Sequence, residues 1–166
     1  MRLSDRRSIF AIDPTPRGIA FVFFEDGRLL DWGERLRRSE DEFGIAQTLV
    51  DGCAADILVL EDPDASGSRR HPRIRKMLRE IVKRARRRGV TVIPVSRAEV
   101  LCSWLAQGAT NKAAIAAEIA SRYEELAAVI PPCRGAGASE DPRMHIFDAA
   151  SLAIHYDETR RKRIAR

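Results

Sequence analysis

A chain of 166 residues, 45% hydrophobic and 32% charged, can bury one full-sized core but not two, which excludes two-lobed ATPase and sugar-kinase architectures. Its three cysteines, an odd number with no C-x-x-C spacing, exclude a disulfide framework and a zinc knuckle. No apolar run is long enough for a signal-peptide core or a membrane span, so the expectation is one cytoplasmic domain over residues 1–166, with a net charge of +5 that favours a polyanionic partner.

The first predicted strand is Ser8 to Asp13, S-I-F-A-I-D, which stops at a carboxylate beside Pro14. An acid at the mouth of a dry sheet is costly unless a cation, a proton or hydrogen-bond donors compensate it, so Asp13 is the first candidate metal ligand. P-T-P-R-G supplies a turn, Ile19 to Phe24 a second strand, Glu25-Asp26-Gly27 a tight turn and Arg28 to Trp32 a third strand, giving an antiparallel meander. Ser39 has the chemistry of an N-cap, and a helix should run from there to about Asp51, before Gly52. Asp56 to Leu60 is the fourth strand and ends at Glu61, a second acid at a strand end. A helix between strands three and four makes strand four parallel to strand one, which sets Asp13 and Glu61 at neighbouring C-terminal ends.

Asp62 to His71 is a polar loop, and Pro72 opens a helix whose apolar stripe is Ile74, Met77, Leu78, Ile81, Val82 and Ala85, ending at Gly89. From Arg69 to Arg88 there are eleven Lys or Arg against the single acid Glu80. This segment alone carries +10, so the rest of the chain is net negative. Val90 to Pro94 is the fifth strand; Ser96 caps a short helix to Leu105 on which Trp104 reads as packing, and Cys102, like Cys53, reads as a small core residue. A further helix is expected from Asn111 and Lys112 to about Val129, then a flexible loop from Pro131 to Ser139.

Asp141-Pro142 begins the last helix, in which Asp141 has the position of an N-cap, and a frayed basic tail is expected from about residue 158. Apolar residues surround this helix, so it should be buried. His145, Asp148, Ser151 and His155 share one seam at spacings of three and four. Asp148 in such a helix needs compensation, and metal ligation shared with Asp13 and Glu61 accounts for all three acids. His145, one turn earlier, is a candidate metal ligand or general base.

The order I-D-P, then V-L-E, then G-A-T-N-K opening a helix, then H-I-F-D-A-A-S-L-A-I resembles the RuvC-type four-way-junction resolvases of the ribonuclease H-like nuclease superfamily over roughly Ile9 to His155. The resemblance implies an α/β fold: a five-stranded mixed sheet, strands 1-2-3 antiparallel and strands 4 and 5 parallel to strand 1, flanked by helices. It implies a homodimer that resolves four-way (Holliday) junctions in DNA by two-metal-ion phosphodiester hydrolysis, with two Mg²⁺ ions and Mn²⁺ as a substitute. The metal-binding and catalytic positions become Asp13, Glu61, His145 and Asp148. Lys112 falls where the family contacts the DNA backbone, and Arg69, Arg70 and Arg73, beside Glu61, are the further candidate nucleic-acid contacts. This chain departs from the pattern in two places: Thr15 replaces the glycine usual after D-P, and Asp62 to His71 lacks the aromatic residue the family inserts near the junction centre. The competing readings are a ribonuclease H-like nuclease acting on RNA or other branched or duplex substrates, and a catalytically silent nucleic-acid-binding module.

Overall fold

The computed structural model describes residues 7–36, 44–52, 54–66, 68–132 and 139–166. Five strands, β1 (Ser8–Pro14), β2 (Gly18–Glu25), β3 (Arg28–Leu36), β4 (Ile57–Glu61) and β5 (Thr91–Val95), form one sheet in the order β3-β2-β1-β4-β5. β1, β2 and β3 pair antiparallel and β4 pairs parallel to β1, as the order of strand signals and helix predicts, and β5 pairs parallel to β4, as the family resemblance implies. The hairpin between β2 and β3 turns on Asp26 and Gly27, both at positive φ (51° and 80°). That is the geometry of a type I′ turn, whose twist matches the strands it joins.

Side chains of a strand alternate between faces, and the core divides accordingly. Ile9, Ala11, Ile57 and Val59 belong to one apolar cluster, whereas Ile12, Leu58 and Leu60 belong to the other. The first face is covered by α3 (Arg97–Ala106), α4 (Lys112–Arg122), α5 (Glu124–Ala127) and α6 (Met144–Ile164); the second packs against α2 (Pro72–Arg87) and α1 (Gly44–Gly52). Continuing the alternation by one step carries Asp13 and Glu61 to the face that α6 covers. On that face Ala11, Ala149 and Ala150 are completely buried, and side chains this small let the helix lie close to β1 and β2.

Several boundaries differ from the sequence expectation. The helix expected from Asn111 to Val129 breaks at Tyr123, whose backbone is extended (φ −128°, ψ 95°). The break turns the Tyr123 ring edge-on to Phe24 at 5.1 Å and drops Leu126 into the core. The last helix begins at Met144 and does not fray from residue 158; it continues to Ile164 because Asp157 pairs with Arg160 and Arg161 one turn on, at 3.3 and 2.7 Å. Cys102 is exposed, since Val100 and Trp104 form the buried face of α3 and residue 102 lies across the helix from them. The Ser39 cap, Cys53, Cys133 and residues 133–138 of the expected loop lie outside the described residues.

Thr15 builds the turn that ends β1. Its hydroxyl accepts from the Gly18 and Arg17 amides at 2.9 and 3.2 Å and donates to Glu34 at 2.6 Å. Gly18 leaves no room for a side chain, because a Cβ there would stand 2.0 Å from the Arg35 carbonyl oxygen. Gly18→Ala should therefore lower stability by about 1–3 kcal/mol, read as an earlier midpoint in urea; an unchanged midpoint would show that β3 moves aside at no cost.

Candidate active site

The ends of β1 and β4 supply the first two acids. Ile12 pairs with Leu60 in parallel register, so the next residues, Asp13 and Glu61, stand side by side; both are buried, 2% and 5% exposed. The third acid comes from α6, where Met144, Phe147 and Ser151 face the core and carry the seam of His145 and Asp148 over the sheet edge. Nδ1 of His145 lies 2.7 Å from Oδ2 of Asp13. One ligand atom from each of Asp13, His145 and Asp148 falls within 4.8 Å of the others. Glu61 is outside that group but lines the same cavity as Asp13 and Asp148.

Acids this close and this dry need positive charge, and the chain supplies three cations from three elements. Arg70, in the loop before α2, donates through Nε to Oε2 of Glu61 at 2.8 Å and through Nη2 to Oδ1 of Asp13. Lys112, the first residue of α4, donates to Oδ2 of Asp148 at 2.8 Å and also to Glu140. Arg97, the first residue of α3, lies 3.9 Å from Glu61 and 3.8 Å from Asp148.

Proton affinities follow from this arrangement. Burial, then the negative charge of Asp13, holds the Asp148 carboxyl above the usual carboxylate range, against the opposing pull of Lys112 and Arg97. The hydrogen bond to Asp13 raises the His145 imidazole above its ordinary value despite burial. For Arg70, burial opposes the charged form, but Asp13 and Glu61 outweigh it and the guanidinium is held more firmly protonated than usual.

The sequence-predicted residues therefore divide. Asp13, Glu61, His145 and Asp148 come together, with Lys112 drawn among them. Arg70, a candidate nucleic-acid contact in the sequence, turns inward onto two of the acids, while Arg69 and Arg73 are exposed. Asp141 does not join the acids; its carboxylate accepts from the Arg143 amide and guanidinium, bracing the turn before α6. Arg97 escaped the sequence reading, although its position one residue after an N-capping serine at the end of β5 could have pointed to it.

No protein-family model matches the chain, and no curated protein matches it by sequence. Solved structures match by fold. The RuvC of Thermus thermophilus in complex with a Holliday junction substrate superposes with a TM-score of 0.60 at 14% identity, covering 94% of this chain and 96% of that one. A second Thermus thermophilus RuvC structure does so with 0.60 at 15% identity, over 93% and 96%. The chain has the RuvC fold, of ribonuclease H-like type. Among the described residues no helix is long and apolar enough to cross a membrane.

Because His145 binds its proton more tightly folded than unfolded, its contact with Asp13 adds stability below about pH 6.5 and loses it as the pH climbs through the folded-state value. Asp13→Asn should bring the imidazole down towards its ordinary ~6.5, measured by NMR titration in chelator. An unmoved titration would show that Asp13 does not set the charge of His145.

Proposed function

We propose that this protein is a divalent-metal-dependent endonuclease that cleaves phosphodiesters in branched DNA, four-way junctions foremost, and acts as a homodimer. The observation that carries the reading is the convergence of Asp13, His145 and Asp148, drawn from as far as 135 positions apart in the sequence, into one cluster, with Glu61 lining the same cavity as the two aspartates. The likeness of fold to a RuvC solved with a Holliday junction supports it, as does the basic charge of the segment from Arg69 to Arg88.

The donor set fits a hard cation: three carboxylates and one imidazole, with excess negative charge that the chain neutralises with its own cations. Asp13, Glu61, His145 and Asp148 are the residues that would hold Mg²⁺, or Mn²⁺ in its place. Bound there, the ion would supply Lewis acidity for phosphodiester hydrolysis by water. Asp13 orients the imidazole through Nδ1 and keeps a proton available there. Lys112 fixes one oxygen of Asp148 and leaves the other towards Arg97. Lys112 stands at the N-terminus of α4, where free backbone N–H groups favour a phosphate, and exposed Arg69 and Arg73 extend the positive surface beside the acids.

One observation favours a broader substrate range: the loop from Asp62 to His71 holds no aromatic side chain to wedge into a junction centre. Under this second reading the nuclease acts on RNA hybrids or simple duplex.

With Mg²⁺ present, a synthetic four-way junction should be cut in preference to linear duplex, flap and RNA–DNA hybrid; equal cutting of all four would transfer the assignment to the broader reading. Asp13→Asn or Asp148→Asn should lower the cleavage rate about a thousandfold or more, several kcal/mol of barrier, while junction binding persists. Cleavage at the normal rate by either variant would remove the metal-site reading. Binding should weaken steeply with salt, and Arg69→Ala should reduce the slope of log K against log salt by about 1; an unaltered slope would take Arg69 off the phosphate backbone.

A further inference from the structure

We propose that Arg70 occupies the second cation position of the acid site, so that the DNA-free protein takes up a single divalent ion, at Asp13, His145 and Asp148. The inference rests on the metal-site reading above and specifies its stoichiometry. Two carboxylates at the ends of parallel neighbouring strands form a place for positive charge, and here the place is filled by a side chain of the protein itself. The Arg70 guanidinium spans Asp13 and Glu61, with Nε and Nη2 each 2.8 Å from Oε2 of Glu61 and Nη2 also on Asp13. Its side chain is only 18% exposed. Arginine cannot leave by giving up its proton; to vacate the position the whole side chain must move out.

The loop that carries it is braced. Asp62 N–H donates to the Val95 carbonyl at 2.8 Å and Arg75 Nε to the Pro63 carbonyl at 2.9 Å. His71 caps α2 by accepting from the Arg73 amide at 3.2 Å, and Pro72 follows it as the first helical residue. Arg70 therefore sits one residue before a capped helix, in a loop fastened near its start.

The cation at the other end of the site is held differently. Lys112 has a second acceptor in Glu140, so it can release Asp148 and keep an ion pair. Arg97 stands no closer than 3.8 Å to either acid. At Asp148 the resident cation has somewhere else to go, whereas among the described residues Arg70 has only a long 3.5 Å contact with the Pro14 carbonyl outside the acids. In the DNA-free protein Glu61 thus acts as the seat of Arg70, available to metal only once the guanidinium has moved out, and Asp13 as the residue shared between guanidinium and metal.

The test is calorimetric titration of the full, DNA-free chain with Mn²⁺ after stripping with chelator. Wild type should bind one ion. Arg70→Gln should bind two, the second at least tenfold more tightly than any residual second binding in wild type, and Arg70→Lys, which keeps the charge, should return to one. Two comparable ions in wild type, or one in folded Arg70→Gln, would overturn the proposal while leaving the metal site standing. No ion in any of the three would overturn it together with the nuclease reading beneath it. A second measurement does not depend on the variants folding: in wild type saturated with Mg²⁺, the Arg70 Nε–H resonance should stay at its hydrogen-bonded position and remain slow to exchange while the His145 ring signals shift. Collapse of that resonance into rapid exchange would show that the guanidinium leaves when metal arrives.

Discussion

Negative charge gathered at one edge of an apolar sheet is the constraint on which the surrounding architecture depends. Asp13 and Glu61 have almost no water to solvate them, and Asp148 is held above the ordinary carboxylate range by burial and by Asp13. Carboxylates in that setting must be matched by cations or give up their charge. The match comes from Arg70 before α2, Arg97 at the start of α3 and Lys112 at the start of α4. Three otherwise unrelated connections of the chain therefore converge on one point, and the site is closed by long side chains reaching over the sheet edge.

What brings the acids together is simple geometry. Parallel register puts the ends of β1 and β4 level, period-two alternation turns both terminal carboxylates to the same face, and α6 crosses that face on alanines small enough to bring Asp148 down to them. Each of these steps is written locally: apolar runs that stop at an acid, a helix between them that makes the strands parallel, and a C-terminal helix with one polar seam in an apolar surround. That is why the meander of the first three strands, the parallel pairing of the fourth with the first and the meeting of Asp13, Glu61, His145 and Asp148 were legible in the residues, whereas the place of the fifth strand came only with the family resemblance.

What escaped the sequence depends on where flexible arms and marginal helices settle. Arg70 belongs to a basic run, and a run is read by its sum, yet its members have different fates. Arg70 enters the acid site, Arg75 ties down the Pro63 carbonyl, and Arg79, Arg84 and Arg88 pair with Asp64, Glu80 and Asp51. The surplus open to a polyanion is smaller than the composition suggests. The tail of α6 misled in the opposite direction: R-R-K-R looks like a solvated end, but Asp157 one turn earlier gives its arginines helical partners. Tyr123 is a third instance, where tertiary packing on Phe24 outweighs the helical propensity of the alanine-rich segment before it.

The three cations are graded, and the gradient has a direction. Side-chain exposure rises from 18% for Arg70 to 33% for Lys112 and 41% for Arg97, while the contacts with the acids loosen from direct bonds to 3.8 and 3.9 Å. Positive charge is therefore most firmly committed at the β1–β4 end of the site and least committed at the end lined by α3 and α4. Asp148 is the acid that Arg97 and Lys112 share, so neutralising it with a bound cation would weaken the hold on both, leaving Lys112 its pair with Glu140 and Arg97 its longer approach to Glu61. The electrostatics of the site thus link its two ends: positive charge arriving on the acids would loosen the cations beside Asp148 first, because those are the least committed.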